Sequence, residues 1–283
     1  MHTPATQPPS PATLPAHIAF VGGGNMAMAI LGGLIAADHP AERLLVIEPH
    51  APQADLLRSK FGIPVEAAGG PALSSAQIVV WAVKPQVFSA AAAPCAAFVG
   101  QALHLSVMAG VRSADIAKAT GSERVVRAMP NTPALIGEGI AGLFARKGAT
   151  AADRATLEAM LAPTGETLWV ERETDLDAIT ALSGSGPAYV FFFLEAIVKA
   201  AVEMGLSADQ GRRLAEATFK GSTALSRTSP ETLEILRARV TSKGGTTCAA
   251  LGVLEEKGVA AAIVAALRAA QARAQELAER TAT

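Results

Sequence analysis

Aromatic side chains are scarce in this 283-residue chain, at 4% of residues, and charged ones reach only 17%. With so few rings, the interior has to be built from Ala, Val, Leu and Ile. The shortage of charge beside 50% hydrophobic residues excludes a disordered chain, which is poor in apolar residues and rich in charge. Lys and Arg (24) nearly balance Asp and Glu (25), so the net charge is −1. A broad basic surface for nucleic acid or anionic lipid is therefore not expected. Cysteine is scarcer still: Cys95 and Cys248 lie far apart and share no metal-ligand spacing. They read as free thiols in a reducing compartment, the cytoplasm, and no metal site is expected. At roughly 150 residues per domain, the length suggests about two domains.

Residues Met1 to Ala16 hold five prolines and no Lys, Arg, Asp or Glu. They lack the positive start and apolar centre of a signal peptide, and read as a disordered tail. The most apolar stretch, Pro187 to Met204, is interrupted by Glu195, Lys199 and Glu203 at a spacing of four. Those three share one helix face, a stripe that a membrane span of about twenty residues does not carry. The expectation is a mostly buried helix of a soluble protein.

From His17 the pattern alternates. The apolar run to Val21 meets Gly22-Gly23-Gly24 and then a helical pattern from Met26 to Ala37; Leu44 to Ile47 reads as a strand, Pro52 to Phe61 as a helix, Ile78 to Val83 as a strand. Weaker strand signals follow at Leu103–Met108, Arg124–Ala128, Ala141–Phe144 and Leu168–Val170. Apolar runs unbroken by polar residues, separated by helices, indicate a parallel sheet covered on both faces. Beyond about Glu173 only helices are expected, over Asp175–Leu182, Pro187–Met204, Ala208–Ser226, Glu231–Val240, Thr247–Lys257 and Val259–Ala278. The predicted organisation is a tail over 1–16, an α/β domain over 17–172 and an all-α domain over 173–283.

Gly22-x-Gly24-x-x-Ala27 follows a strand and opens a helix, the context of a dinucleotide fingerprint. The glycines let the backbone approach a pyrophosphate, and the helix start offers unpaired N–H groups to it. The competing reading is a tight turn without a ligand. Glu48 ends the second strand 21 residues after Ala27, near the spacing of the acid that binds a cofactor ribose. It favours NADH over NADPH, although Arg58 offers a counter-charge, or it is simply a solvated acid. Ala82-Val83-Lys84-Pro85 closes a strand at the edge where such sheets bind ligands, and Met129-Pro130-Asn131-Thr132-Pro133 makes a rigid break there.

In the helical part, Thr241-Ser242-Lys243-Gly244-Gly245-Thr246-Thr247 precedes a helix. It reads as a cradle for a carboxylate or phosphate, or as a helix cap supplied by Thr246 or Thr247. Ser183-Gly184-Ser185-Gly186-Pro187 is read as caps before a helix with proline at its start, because no histidine and acid are placed for a serine nucleophile. Cys248 at the helix start reads as a small buried residue.

Taken together, the chain resembles the pyrroline-5-carboxylate reductase family from about His17 to Leu277. The resemblance is carried by Val21-Gly-Gly-Gly-Asn-Met26, Ala82-Val-Lys-Pro-Gln86, Arg127-Ala-Met-Pro-Asn-Thr-Pro133, Leu182-Ser-Gly-Ser-Gly-Pro-Ala-Tyr189 and Val240-Thr-Ser-Lys-Gly-Gly-Thr-Thr247. It implies a Rossmann-like N-terminal domain followed by an all-α dimerisation domain. It also implies NADPH or NADH held by Val21, Gly22, Gly24, Asn25, Met26, Ala82, Val83, Lys84, Pro85, Ala109 and Gly110, to which the spacing argument adds Glu48. The substrate would be bound by Ser242, Gly244, Gly245, Thr246 and Thr247, with Thr247 catalytic, in a site assembled from two subunits. The implied assembly is a homodimer with interlocked helical domains, or a ring of dimers. Three positions depart from the family pattern: Lys243 replaces a proline, Arg239 an asparagine, and Glu48-Pro49 the Ser or Asn-Arg residues that welcome a 2′-phosphate.

Two other readings stand beside this one. β-Hydroxyacid dehydrogenases share the layout but place a lysine four residues after the last glycine of a comparable loop, where Val190 stands. A non-catalytic dinucleotide sensor needs the first domain but gives the Gly244–Thr247 loop no purpose.

Overall fold

The computed structural model describes residues 17–281. The expected tail over 1–16 lies outside the described residues. The described chain forms two compact units, one holding the residues up to Gly184 together with the stretch from Ala270, the other Ser185–Ala269.

In the first unit the elements run β1 (Ile18–Val21), α1 (Asn25–Ala36), β2 (Leu44–Ile47), α2 (Ala51–Phe61), β3 (Val65–Glu66), β4 (Ile78–Trp81), α3 (Phe88–Ala92), α4 (Ala96–Val99), β5 (Leu103–Ser106), α5 (Ser113–Thr120), β6 (Val125–Met129), β7 (Gly139–Ala145), α6 (Ala151–Leu161), β8 (Gly165–Trp169) and α7 (Asp175–Ile179). They build one sheet of order β3-β2-β1-β4-β5-β6-β7-β8. Ile18 of β1 lies opposite both Leu44 and Ile78, in parallel register. The order reverses between β1 and β4, and ligands of open α/β sheets bind at the carboxyl ends of the strands flanking such a reversal.

The continuous apolar strands are explained by burial on both faces. Ile18 and Phe20 pack against Ile30, Leu31 and Leu34 of α1 and Leu57 of α2. Ala19 and Val21 face the other way, with Val79, Trp81, Phe88, Val99 and Ile116. Each such large side chain contributes about 1.5–3 kcal/mol by leaving water.

The sheet is not parallel throughout. β7 pairs antiparallel with β6, and β8 then runs parallel to β7. Between β6 and β7 the chain makes only a 3₁₀ turn, Thr132–Ile136, too short for the crossover that a parallel neighbour requires. The two-residue β3, held parallel to β2, carries no periodicity from which it could be predicted.

After α7 the helix widens into a π turn over Thr180–Gly184. The sequence pattern turns helical at residue 173, but the compact units part later, because α7 stays tied to the first unit through Arg112 and Asp177.

The second unit contains α8 (Gly186–Glu203), α9 (Ala208–Thr228), α10 (Leu233–Arg239), α11 (Thr246–Glu256) and the first part of α12 (Val259–Thr281). Here one expectation is overturned. α8 is not mostly buried: only Ala201 is, while Phe191, Phe192 and Val202 are exposed at 59%, 68% and 50%. Asp175–Glu203 is long and apolar enough to cross a membrane by length and composition, with 6% of its apolar window buried. The stripe of Glu195, Lys199 and Glu203 nevertheless holds, with Lys199 and Glu203 4.0 Å apart.

Candidate active site

The end of β1 is shaped for close approach. Gly22 adopts φ +96°, and a Cβ there would lie 2.7 Å from the Ala82 carbonyl oxygen and 2.9 Å from Val83. Only glycine fits this conformation at this distance. The Gly22 amide donates to the Ile47 carbonyl (2.9 Å), and the Ala82 amide to the Val21 carbonyl (2.8 Å). The turns after β1, β2 and β4 are thus joined. Gly24 is exposed with open space where a side chain would be, and it caps α1 with no side-chain acceptor. The first-turn amides of Asn25, Met26 and Ala27 have no partner among the described residues, and no acid lies in that turn. Free N–H groups and the positive end of the helix dipole fit a pyrophosphate.

Glu48 belongs to this edge. Its Oε2 accepts from the Gly23 amide (2.9 Å) and its Oε1 from the His50 amide (3.0 Å). Gln53 Nε2 donates to the Gly23 carbonyl (2.6 Å), so α2 also grips the glycine turn. Arg58, the expected counter-charge, is committed elsewhere: Nη1 to Asp55 (2.9 Å) and Nη2 to the Val65 carbonyl (2.8 Å). Lys84 is exposed, with no side-chain partner among the described residues. Ala109 and Gly110 follow β5 one strand beyond β4, and Gly110 (φ +77°) lies beside the backbone of Leu277 and Ala278.

In the second unit, Gly244 has φ +74° and Gly245 is the N-cap of α11, again with no side-chain cap. This corrects the cap reading for Thr246 and Thr247, which are the first two residues of the helix. The Gly245 amide donates to the Ser242 carbonyl (3.0 Å). Each glycine has a local reason: Gly244 for its positive φ, Gly245 because a Cβ would strike Ser242 Oγ. The amides of Thr246, Thr247 and Cys248 have no partner among the described residues. Thr247 is half-buried, Thr246 is exposed, and Cys248 is exposed rather than buried. Arg239, close before this loop, is paired with Glu231 at 2.5 Å.

Ser183 is not a cap either. Its hydroxyl donates back to the Ile179 carbonyl (3.1 Å) in the π turn, while Ser185 occupies the N-cap of α8 without a side-chain bond.

Sequence reasoning missed a buried ionic network beside the sheet. Arg127, 4% exposed, donates to Glu173 Oε1 (2.8 Å). The Ser113 amide (2.6 Å) and hydroxyl (2.7 Å) bind the two oxygens of the same carboxylate. Arg112 holds Asp177 with both guanidinium nitrogens, at 3.2 and 2.9 Å. Burial alone would raise the Glu173 carboxyl, but these hydrogen bonds and the Arg127 charge outweigh it and hold it low. Burial lowers the Arg127 guanidinium against the opposing pull of Glu173. An arginine inside the apolar run Val125–Ala128 was the available signal, since a buried charge requires a partner.

A family model described as pyrroline-5-carboxylate reductase dimerisation matches residues 173–277, and one described as NADP oxidoreductase coenzyme F420-dependent matches 17–110. The pyrroline-5-carboxylate reductases of Haemophilus influenzae and Pseudomonas aeruginosa are each 39% identical to this chain, covering 92% and 93% of it and 97% of their own lengths. The structure of a pyrroline-5-carboxylate reductase from Coxiella burnetii is 35% identical, covers 92% of this chain and 98% of its own, and superposes with a TM-score of 0.85. That of the Plasmodium falciparum pyrroline carboxylate reductase, with NADP bound, is 27% identical, covers 93% and 98%, and gives 0.83. With similarity of this extent across both units, the chain belongs to the pyrroline-5-carboxylate reductase family.

Proposed function

We propose that this protein reduces 1-pyrroline-5-carboxylate to L-proline with NAD(P)H. One observation carries the reading: the chain joins a glycine turn with free helix amides to a second loop whose amides stand free beside the Thr247 hydroxyl. Residues 17–172 then serve the dinucleotide and residues 173–283 the substrate and the assembly.

The amides of Thr246, Thr247 and Cys248, with the positive end of α11, grip the substrate carboxylate. The Thr247 hydroxyl accepts a hydrogen bond from the ring nitrogen and so favours the protonated, electrophilic imine. When bound, the reduced nicotinamide supplies the hydride that the imine carbon C5 accepts. A threonine hydroxyl is a poor acid, so the nitrogen is protonated by water or arrives protonated.

The exposed apolar side of α8 is covered by a second copy in this reading, in a homodimer with interlocked helices or a ring of such dimers. Both thiols, the buried Cys95 and the exposed Cys248, are unpaired and suit the cytoplasm.

The test is loss of 340 nm absorbance with pyrroline-5-carboxylate and each coenzyme. Turnover is expected, and Thr247→Ala should lower kcat/KM by a factor of about 10² while Thr247→Ser retains most of it. An unchanged rate in Thr247→Ala removes Thr247 from the mechanism. Coenzyme binding without turnover overturns the reductase reading in favour of a dinucleotide sensor.

A further inference from the structure

We infer that the Glu48 carboxylate is a specificity-determining clamp: it holds the glycine turn to the end of β2 and, from that fixed position, rejects a coenzyme bearing a 2′-phosphate. The inference rests on the proposed use of a nicotinamide dinucleotide and deepens it.

The carboxylate does not hang free in solvent. Two backbone amides fix it, Gly23 on Oε2 (2.9 Å) and His50 on Oε1 (3.0 Å). Its own amide donates to the Glu66 carbonyl (2.8 Å), which ties the residue to β3 as well. The side chain is therefore pinned between the dinucleotide turn and the start of α2. In doubly wound sheets this end of the second strand faces the ribose of the adenosine half. Each carboxylate oxygen has two acceptor positions, and each amide uses one, so one position per oxygen remains for a ribose hydroxyl.

A 2′-phosphate instead carries a charge of about −1.5 to −2 at pH 7 and has no proton to share. Among the described residues, the Lys and Arg side chains of this region are engaged or lie on another strand. Arg58 is held by Asp55 and the Val65 carbonyl. Lys60 lies over the Phe61 ring, 5.2 Å from its centroid. Lys84 follows β4, with β1 between that strand and β2. The similar Plasmodium structure holds NADP; this chain is expected to part from it at Glu48.

The test uses the full-length protein and needs no imine. Calorimetric titration should show NADH binding at least about tenfold tighter than NADPH, and 5′-AMP similarly tighter than 2′,5′-ADP. Glu48→Gln removes the charge but keeps one acceptor, and should shrink the NADH:NADPH affinity ratio about tenfold. Glu48→Ala removes both acceptors: affinity for NADH should fall several-fold, and amide exchange over residues 20–28 should quicken in the free protein. Wild-type binding of NADPH as tight as NADH, or an unchanged ratio in Glu48→Gln, overturns the specificity role. Unchanged exchange in Glu48→Ala overturns the clamp. A protein that binds neither coenzyme sinks this inference along with the dinucleotide reading, whereas tight NADH binding without imine reduction sinks only the proposed substrate.

Discussion

Replacing Glu173 by alanine tests whether the buried network holds the first unit together. In the native chain the carboxylate accepts from Arg127 (2.8 Å) and from the Ser113 amide and hydroxyl (2.6 and 2.7 Å). The Arg127 and Glu173 side chains are only 5% and 20% exposed. The substitution strands a buried guanidinium and two donors at once, a class of change that costs about 3–5 kcal/mol. A unit of this size loses about 2–4 °C in Tm per kcal/mol, so melting should fall by about 6–20 °C. The double variant Arg127→Met/Glu173→Leu, which removes the charge with its partner, should be less destabilised than Glu173→Ala. Thermal and urea unfolding followed by the fluorescence of Trp81 and Trp169, both in the first unit, measures both variants. The pH dependence has a definite sign. Because the folded state holds the Glu173 carboxyl below its usual value of 4.5, its contribution is full above that value. It is lost as pH falls through the depressed one. A loss below about 1 kcal/mol in Glu173→Ala, or a double variant no better than the single, would refute the argument.

Two further outcomes follow from burial. Phe192, 68% exposed in the single chain, should tolerate a charge in the monomer but not in an assembly. Phe192→Glu is expected to keep the native circular dichroism and elute as a monomer in light-scattering chromatography; an oligomer of unchanged mass would show that the α8 face is not the interface. His104 is buried, accepts from Trp81 Nε1 at 3.1 Å, and is lowered to about 4 by burial and the Arg124 charge. Its neutral form stabilises the fold fully above pH 6.5, its unfolded value, and up to about 3 kcal/mol is lost as pH falls toward 4. The urea midpoint of wild type should therefore drop more steeply between pH 7 and 5 than that of His104→Gln; equal slopes would remove His104 as the cause.

The sheet was legible because its signal is local. Strands buried on both faces leave unbroken apolar runs, and Ile18–Val21, Leu44–Ile47 and Ile78–Trp81 sit within or at the runs that mark them. The glycine turn was legible for the same reason, since Gly22 answers to a backbone angle and a close carbonyl that no other residue satisfies. What escaped was set by distant partners. The antiparallel β7 follows from the length of a connection rather than from any pattern within the strand. Residues 113, 127 and 173 meet only once the sheet is folded. The Gly244-Gly245 pair suggested a ligand cradle by its rarity. The structure gives both glycines a local cause, so the case for the cradle passes to the unpaired amides of residues 246–248.

The misjudged burial of α8 has a physical cause. Hydropathy reports that a helix avoids water, and says nothing of whether its own chain or another provides the cover. A soluble chain rarely leaves a large apolar patch to water. Here the patch lies in the segment that matches a dimerisation domain, while the first unit buries two full core layers by itself. The two units therefore answer to different terms. The sheet is stabilised by its own packing and by the Arg127–Glu173 network, whereas in the proposed assembly the exposed α8 face would gain its apolar burial from a second copy, and its stability would then depend on protein concentration.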